Sequence, residues 1–139
     1  MDTDTAEARD PAADARNPTV LIAEDEDGVR ALLVVLLRRA GFEVIPTTTG
    51  REALEVVEER GGDVDAALLD VMMPDMNGPE ALPAMRGASP GLPVVFVSGF
   101  GHDEVAEHLG DPSAYTSFLA KPFENVALVE EVQRAGDSR

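Results

Sequence analysis

Short, almost wholly apolar runs recur along this chain, and each stops at a charged or hydroxyl residue. Val20-Leu21-Ile22-Ala23 runs into Glu24-Asp25-Glu26, and Ala66 to Leu69 into Asp70. Pro93 to Val97 runs into Ser98-Gly99, and Tyr115 to Ala120 into Lys121-Pro122. A strand with one wet face alternates apolar and polar residues, whereas a run that is apolar throughout is buried on both faces of a parallel sheet. Phe42 to Pro46 supplies one more short strand. Between these runs the apolar spacing turns helical. It predicts helices over Asp27 to Ala40 with Gly41 as the stop, and from a cap near Thr49 through Arg60, ended by Gly61-Gly62. Further helices are expected from about Pro79 to Arg86, Asp103 to Leu109 and Glu124 to Arg134.

Five strands alternating with five helices imply an α/β fold with a parallel sheet, joined by right-handed crossovers. At 139 residues and 44% apolar composition the chain suits one domain with a sizeable core. The expected architecture is flavodoxin-like: a doubly wound five-stranded parallel sheet, (βα)5, with strand order 2-1-3-4-5. Residues 1–17 carry no periodicity and read as a flexible acidic arm, 18–136 as the folded domain and 137–139 as a tail.

Twenty-seven acids against eleven bases give a net charge of -16, which argues against nucleic acid or an anionic membrane as partner. There is no cysteine, which excludes disulfides, thiolate metal sites and thiol catalysis. The longest strongly apolar run, Ala31 to Leu37, is far short of the ~20 residues of a membrane span, and the acidic start lacks the apolar stretch of a signal peptide. The chain is expected to be cytoplasmic. Ten of the eleven bases are arginine, and the single lysine is Lys121. Where arginine meets every generic need for positive charge, a lone ammonium suggests a task for a compact point charge.

Ligands of doubly wound sheets bind outside the carboxyl ends of the strands. Here those ends carry Glu24, Asp25, Asp70, Ser98 and Lys121. Any one of them alone reads as a solvated loop residue or a helix cap. Together on one edge they describe chemistry. Adjacent carboxylates repel and call for a cation or shifted protonation. Oxygen donors without His or Cys favour a hard ion, Mg2+ or else Mn2+. Such an ion beside an ammonium and a hydroxyl suits a phosphoryl group, and a central carboxylate can be its nucleophile.

These segments resemble the receiver domain of two-component response regulators from about Thr19 to Arg134. The matching pieces are VLIAEDE, ALLDVMMPDMNG, VVFVSG and FLAKPF. The resemblance implies that Asp70 accepts a phosphoryl group from a phosphohistidine on a sensor histidine kinase or histidine phosphotransfer protein. It implies Mg2+ held by Glu24, Asp25, Asp70 and the backbone carbonyl of Met72, with Ser98 and Lys121 on the phosphate. Phe118 stands where receivers carry an aromatic switch. Its turning would reshape the surface of the fourth helix, fifth strand and fifth helix, a face through which receivers can also form homodimers. Glu24 replaces a more usual Asp, and Phe118 lacks the hydroxyl of a Tyr. A cis Lys121-Pro122 peptide is also implied, with Pro74 and Gly78 shaping the loop after Asp70. VVFVSGFGHDEVAEHLG followed by FLAKPF resembles the receivers at the carboxyl end of hybrid sensor kinases.

On the first helix, centring the buried face on Val29 brings Leu32, Leu33, Leu36 and Ala40 inward. Ala31, Val34 and Val35 then form an outward apolar strip, a candidate partner face. Met72, Met73 and Met76 are expected to rim the pocket, and Met72 and Phe100 to tune phosphate lifetime. His102 and His108 lack the surroundings of a metal or relay site. An alternative is a pseudo-receiver that binds partners without phosphorylation. A dehalogenase-type phosphatase needs a second acid where Met72 stands. A flavodoxin needs a Ser/Thr/Gly phosphate loop instead of the acidic Glu24-Asp25-Glu26, and no nucleotide-binding glycine motif occurs.

Overall fold

The computed structural model describes residues 17–72, 78–99 and 115–138, with the side chains of 78–80 excepted. Five strands, β1 (Thr19–Ala23), β2 (Glu43–Thr47), β3 (Ala66–Asp70), β4 (Val94–Ser98) and β5 (Thr116–Ala120), form one sheet in the order β2-β1-β3-β4-β5. Every pairing is parallel. Four α-helices accompany them among the described residues: α1 (Asp27–Arg39), α2 (Gly50–Arg60), α3 (Gly78–Ala88) and α4 (Asn125–Asp137). The doubly wound flavodoxin-like sheet is therefore the observed fold. The helix expected over Asp103 to Leu109 and all but the last residue of the arm expected over 1–17 lie outside the described residues, as do Pro74, Met73, Met76, Phe100, His102 and His108.

Strand alternation sorts the core into two halves. Leu21, Ala23, Ala67, Leu69, Val94 and Phe96 face one way and pack with Ala53 and Val57 of α2 and Ala81, Leu82 and Met85 of α3. Val20, Ile22, Ala66, Leu68, Val95 and Val97 face the other way and pack with Leu33 and Leu37 of α1 and Leu128, Val132 and Ala135 of α4. Neither face of β1, β3 or β4 meets water, which is why those runs carry no polar alternation. On β2, an outer strand, Glu43 and Pro46 are exposed, and both discourage further strand pairing.

The helix ends follow local chemistry. Gly41 has φ 101°, and its N–H bonds Arg38 O while that of Phe42 bonds Leu37 O. This is the double closure that a left-handed glycine allows after a helix, with Phe42 and Leu37 buried in the same cluster. Thr49 caps α2 by accepting from Glu52 N at 3.1 Å, and Glu52 reaches back to Thr48 N at 2.7 Å.

Several boundaries move by one to three residues. The second strand is Glu43–Thr47, because Phe42 closes α1 instead of pairing. The fourth strand begins at Val94 and takes in Ser98, and the fifth begins at Thr116. The short helix runs Gly78–Ala88 with Pro83 inside it, and the last runs Asn125–Asp137.

The buried face of α1 is also corrected. It centres on Leu33 and Leu37, while Leu32 is 44% exposed and Val34 is half-buried against the core. Seven successive apolar residues give little phase, and the side chains already on β1 and β3 set it. The exposed apolar positions are thus Ala31, Leu32 and Val35, with Val34 withdrawn. Leu33→Ala is expected to cost about 2–5 kcal/mol in urea unfolding followed by circular dichroism. Leu32→Ala is expected to cost about 0.5 kcal/mol or less. Equal losses would contradict this orientation of α1.

Candidate functional site

The carboxyl ends of β1, β3, β4 and β5 meet at one edge, and ladder bonds running past the strands fix their spacing. Glu24 N bonds Thr47 O at 3.1 Å, Val71 N bonds Val97 O at 3.0 Å, and Lys121 N bonds Ser98 O at 2.8 Å. Below Glu24, the Thr47 hydroxyl donates to Ile22 O at 2.7 Å, a buried tie between β2 and β1.

The two-residue period then selects neighbours. Glu24 follows Val20 and Ile22, Asp70 follows Ala66 and Leu68, and Lys121 follows Leu119, all on the α1/α4 side. Ser98 follows Val94 and Phe96 on the opposite parity. Phe118 is half-buried and packs against the α2/α3 core. β5 lies two strands from β3, roughly 10 Å away. The long stem of Lys121 spans that gap over the end of β4. Its ammonium sits 3.3 Å from both Glu24 Oε1 and Asp70 Oδ2. The Lys121–Pro122 peptide is cis.

Burial makes this a demanding arrangement. Glu24 is 2%, Asp70 8% and Ser98 1% exposed, whereas Asp25 is exposed. Two buried carboxylates share one ammonium, and each finds further donors. Met72 N donates to Asp70 Oδ1 at 3.0 Å, and Glu26 N to Glu24 Oε2 at 3.2 Å. Desolvation first, and then the neighbouring Asp70 charge, push the Glu24 carboxyl from 4.5 up to about 7. For Lys121 burial works against the charge, but Asp70 and Glu24 outweigh it, and its pKa is raised.

Glu24, Asp25 and Asp70 each offer an oxygen, and those oxygens lie within 4.8 Å of one another. Hard oxygen donors converging on one point, two of them buried with a single ammonium between them, fit a divalent hard cation. Of the other residues singled out in the sequence, Gly78 is the first residue of α3, and Met72 is 54% exposed at the rim.

Arg30 was not anticipated. Its guanidinium donates from Nη1 to the backbone carbonyl of Glu24 at 3.0 Å and from Nη2 to Asp27 Oδ1 at 2.6 Å. The available signal was its place in the first turn of α1, because helical side chains lean back toward the amino end.

Comparison with known proteins converges on one family. The sequence matches the response regulator receiver domain over residues 20–133. It is 42% identical over 115 residues to the sensor kinase CckA of Brucella abortus, covering 83% of this chain and 12% of CckA. It is 33% identical over 117 residues to the DNA-binding transcriptional regulator NtrC of Rhizobium meliloti, covering 84% of this chain and 24% of NtrC. The chain thus spans a small part of either relative. The crystal structure of the receiver domain from the hybrid histidine kinase CckA superposes with a TM-score of 0.71 at 36% identity, covering 84% of this chain and 97% of that one. The chemotaxis protein CheY4 of Vibrio cholerae superposes with a TM-score of 0.76 at 29% identity, covering 86% and 98%. The five-stranded parallel sheet is the fold those structures share with it, and the chain belongs to the response regulator receiver domain family.

Proposed function

We propose that residues 18–136 form a phosphoacceptor in which Asp70 takes a phosphoryl group from a phosphohistidine and the domain switches shape in response. The observation that carries this reading is the Lys121 ammonium, 3.3 Å from both Asp70 and Glu24 at the carboxyl edge of the sheet. The donor would be a sensor histidine kinase or a histidine phosphotransfer protein. The identity to CckA, a sensor kinase of which the match covers 12%, supports a receiver that works within or beside a hybrid kinase.

A carboxylate oxygen of Asp70 forms a bond to phosphorus as the donor's N–P bond breaks, the electron pair staying on the imidazole nitrogen. Lys121 exchanges its contact with Asp70 for a phosphate oxygen. The Ser98 hydroxyl donates to another, and Phe118 turns with that movement. Glu24, Asp25, Asp70 and the Met72 carbonyl would hold Mg2+, which when bound would neutralise charge on the phosphoryl oxygens.

Phosphoramidate carries the same P–N bond as phosphohistidine. Incubation with it and Mg2+ is expected to add one phosphoryl mass to the intact protein, and none with chelator or in Asp70→Asn. No addition to the wild type, with beryllofluoride also failing to bind, would favour a pseudo-receiver. Lys121→Ala is expected to slow the addition by about 100-fold, as loss of a preorganised charge donor does. A rate within about threefold of wild type would remove Lys121 from the chemistry.

Stability should carry the same signature. A carboxyl whose folded pKa, about 7, lies above its free value of 4.5 contributes stability that is full below 4.5 and lost as pH rises through 7. In chelator, Glu24→Gln is expected to match the wild type near pH 4.5 and exceed it at pH 8 in thermal unfolding. Mg2+ should restore the wild type at pH 8. A pH-independent difference would contradict the burden placed on Glu24.

A further inference from the structure

We propose that Arg30 is the positioning residue of the acidic pocket: its guanidinium clamps the β1–α1 turn so that Glu24 and Asp25 are held ready for the cation. This inference rests on the reading of that pocket as a divalent-cation site.

The geometry is a fork across one turn. Nη1 donates to the Glu24 carbonyl at 3.0 Å and Nη2 to Asp27 Oδ1 at 2.6 Å, so one rigid group bonds both sides of the Glu24–Asp27 segment. The Arg30 side chain is 20% exposed, while Asp27 is 91% exposed. The shielded contact is therefore the one to the Glu24 carbonyl. Glu24 is also tied to β2, its N–H on Thr47 O at 3.1 Å. Glu26 sits at the start of α1 without a side-chain cap, and its N–H is taken by the Glu24 carboxylate at 3.2 Å. The first helical bond, Arg30 N to Glu26 O at 2.9 Å, fixes the base from which the guanidinium reaches back. A charged donor on a backbone carbonyl is among the stronger hydrogen bonds, and arginine's planar fork loses little freedom in making two at once.

The clamp has a consequence opposite in sign to simple charge. Arg30 is a cation beside carboxylates, so its removal should tighten cation binding on Coulombic grounds alone. If it positions the turn, removal should loosen binding, because the ligands are then ordered only when the ion arrives. The chain has no tryptophan, so Mn2+ is followed as free ion by electron paramagnetic resonance.

In the full chain, wild type is expected to bind one Mn2+ at the pocket, and Arg30→Gln to bind it about tenfold more weakly, as loss of a group that orients ligands does. Arg30→Lys keeps the charge and loses the fork. It is expected to fall between the two, and it carries the test if Arg30→Gln does not retain the wild-type circular dichroism spectrum. Asp27→Ala removes the exposed arm alone and is expected to change the affinity by less than about threefold. Affinity unchanged or tighter in Arg30→Gln, or wild-type affinity in Arg30→Lys, would overturn the clamp. Failure of the wild type itself to bind Mn2+, or binding that persists in Asp70→Asn with Asp25→Asn, would instead overturn the cation-site reading, and the clamp with it.

Discussion

Two carboxylates, Glu24 and Asp70, are buried at the end of the sheet with one ammonium, that of Lys121, between them. Removing charges from water costs several kcal/mol each, and one lysine cannot offset two acids, with exposed Asp25 nearby adding to the excess. The imbalance shows in Glu24, whose carboxyl is pushed up to about 7 by its burial and by Asp70. Such a site favours added positive charge.

Holding that imbalance is the work of the scaffold. The central strands are buried on both faces, and the two halves of the core lock their register between α1/α4 and α2/α3. A slip of one residue on β3 would turn Asp70 to the other face of the sheet. Ladder bonds from Glu24, Val71 and Lys121 carry the strand spacing into the site itself. Lysine suits its place because a long, narrow stem crosses the end of β4, where a planar guanidinium would present a fork to two acids that lie on different strands.

Much of this was legible in the sequence, for physical reasons that can be named. Runs such as Ala66 to Leu69 can be apolar throughout only if both faces are covered, which dictates a parallel sheet and places the acids at its carboxyl edge. The single lysine among ten arginines marked Lys121. The phase of α1 was not legible. Ala31 to Leu37 is apolar at every position, and the choice between Leu32 and Leu33 is made by β1 and β3 packing against it. Arg30 was hidden for the opposite reason: one arginine among ten has no compositional mark, and its bond is to a backbone carbonyl that any residue at position 24 would supply. The capping pair Thr49 and Glu52 lay between these cases, since the helix start was readable and the back-bond to Thr48 was not.

The central claim is that the buried, lysine-paired carboxylate of Asp70 is the group that becomes an acyl phosphate. Borohydride reduces an acyl phosphate to an alcohol and leaves free carboxylates untouched, so it marks the position. After phosphoramidate and Mg2+, reduction, digestion and peptide mass analysis should place homoserine at position 70 and at no other acid. Homoserine at position 24 or 25, or phosphate surviving on a hydroxyl or imidazole after reduction, would contradict the account.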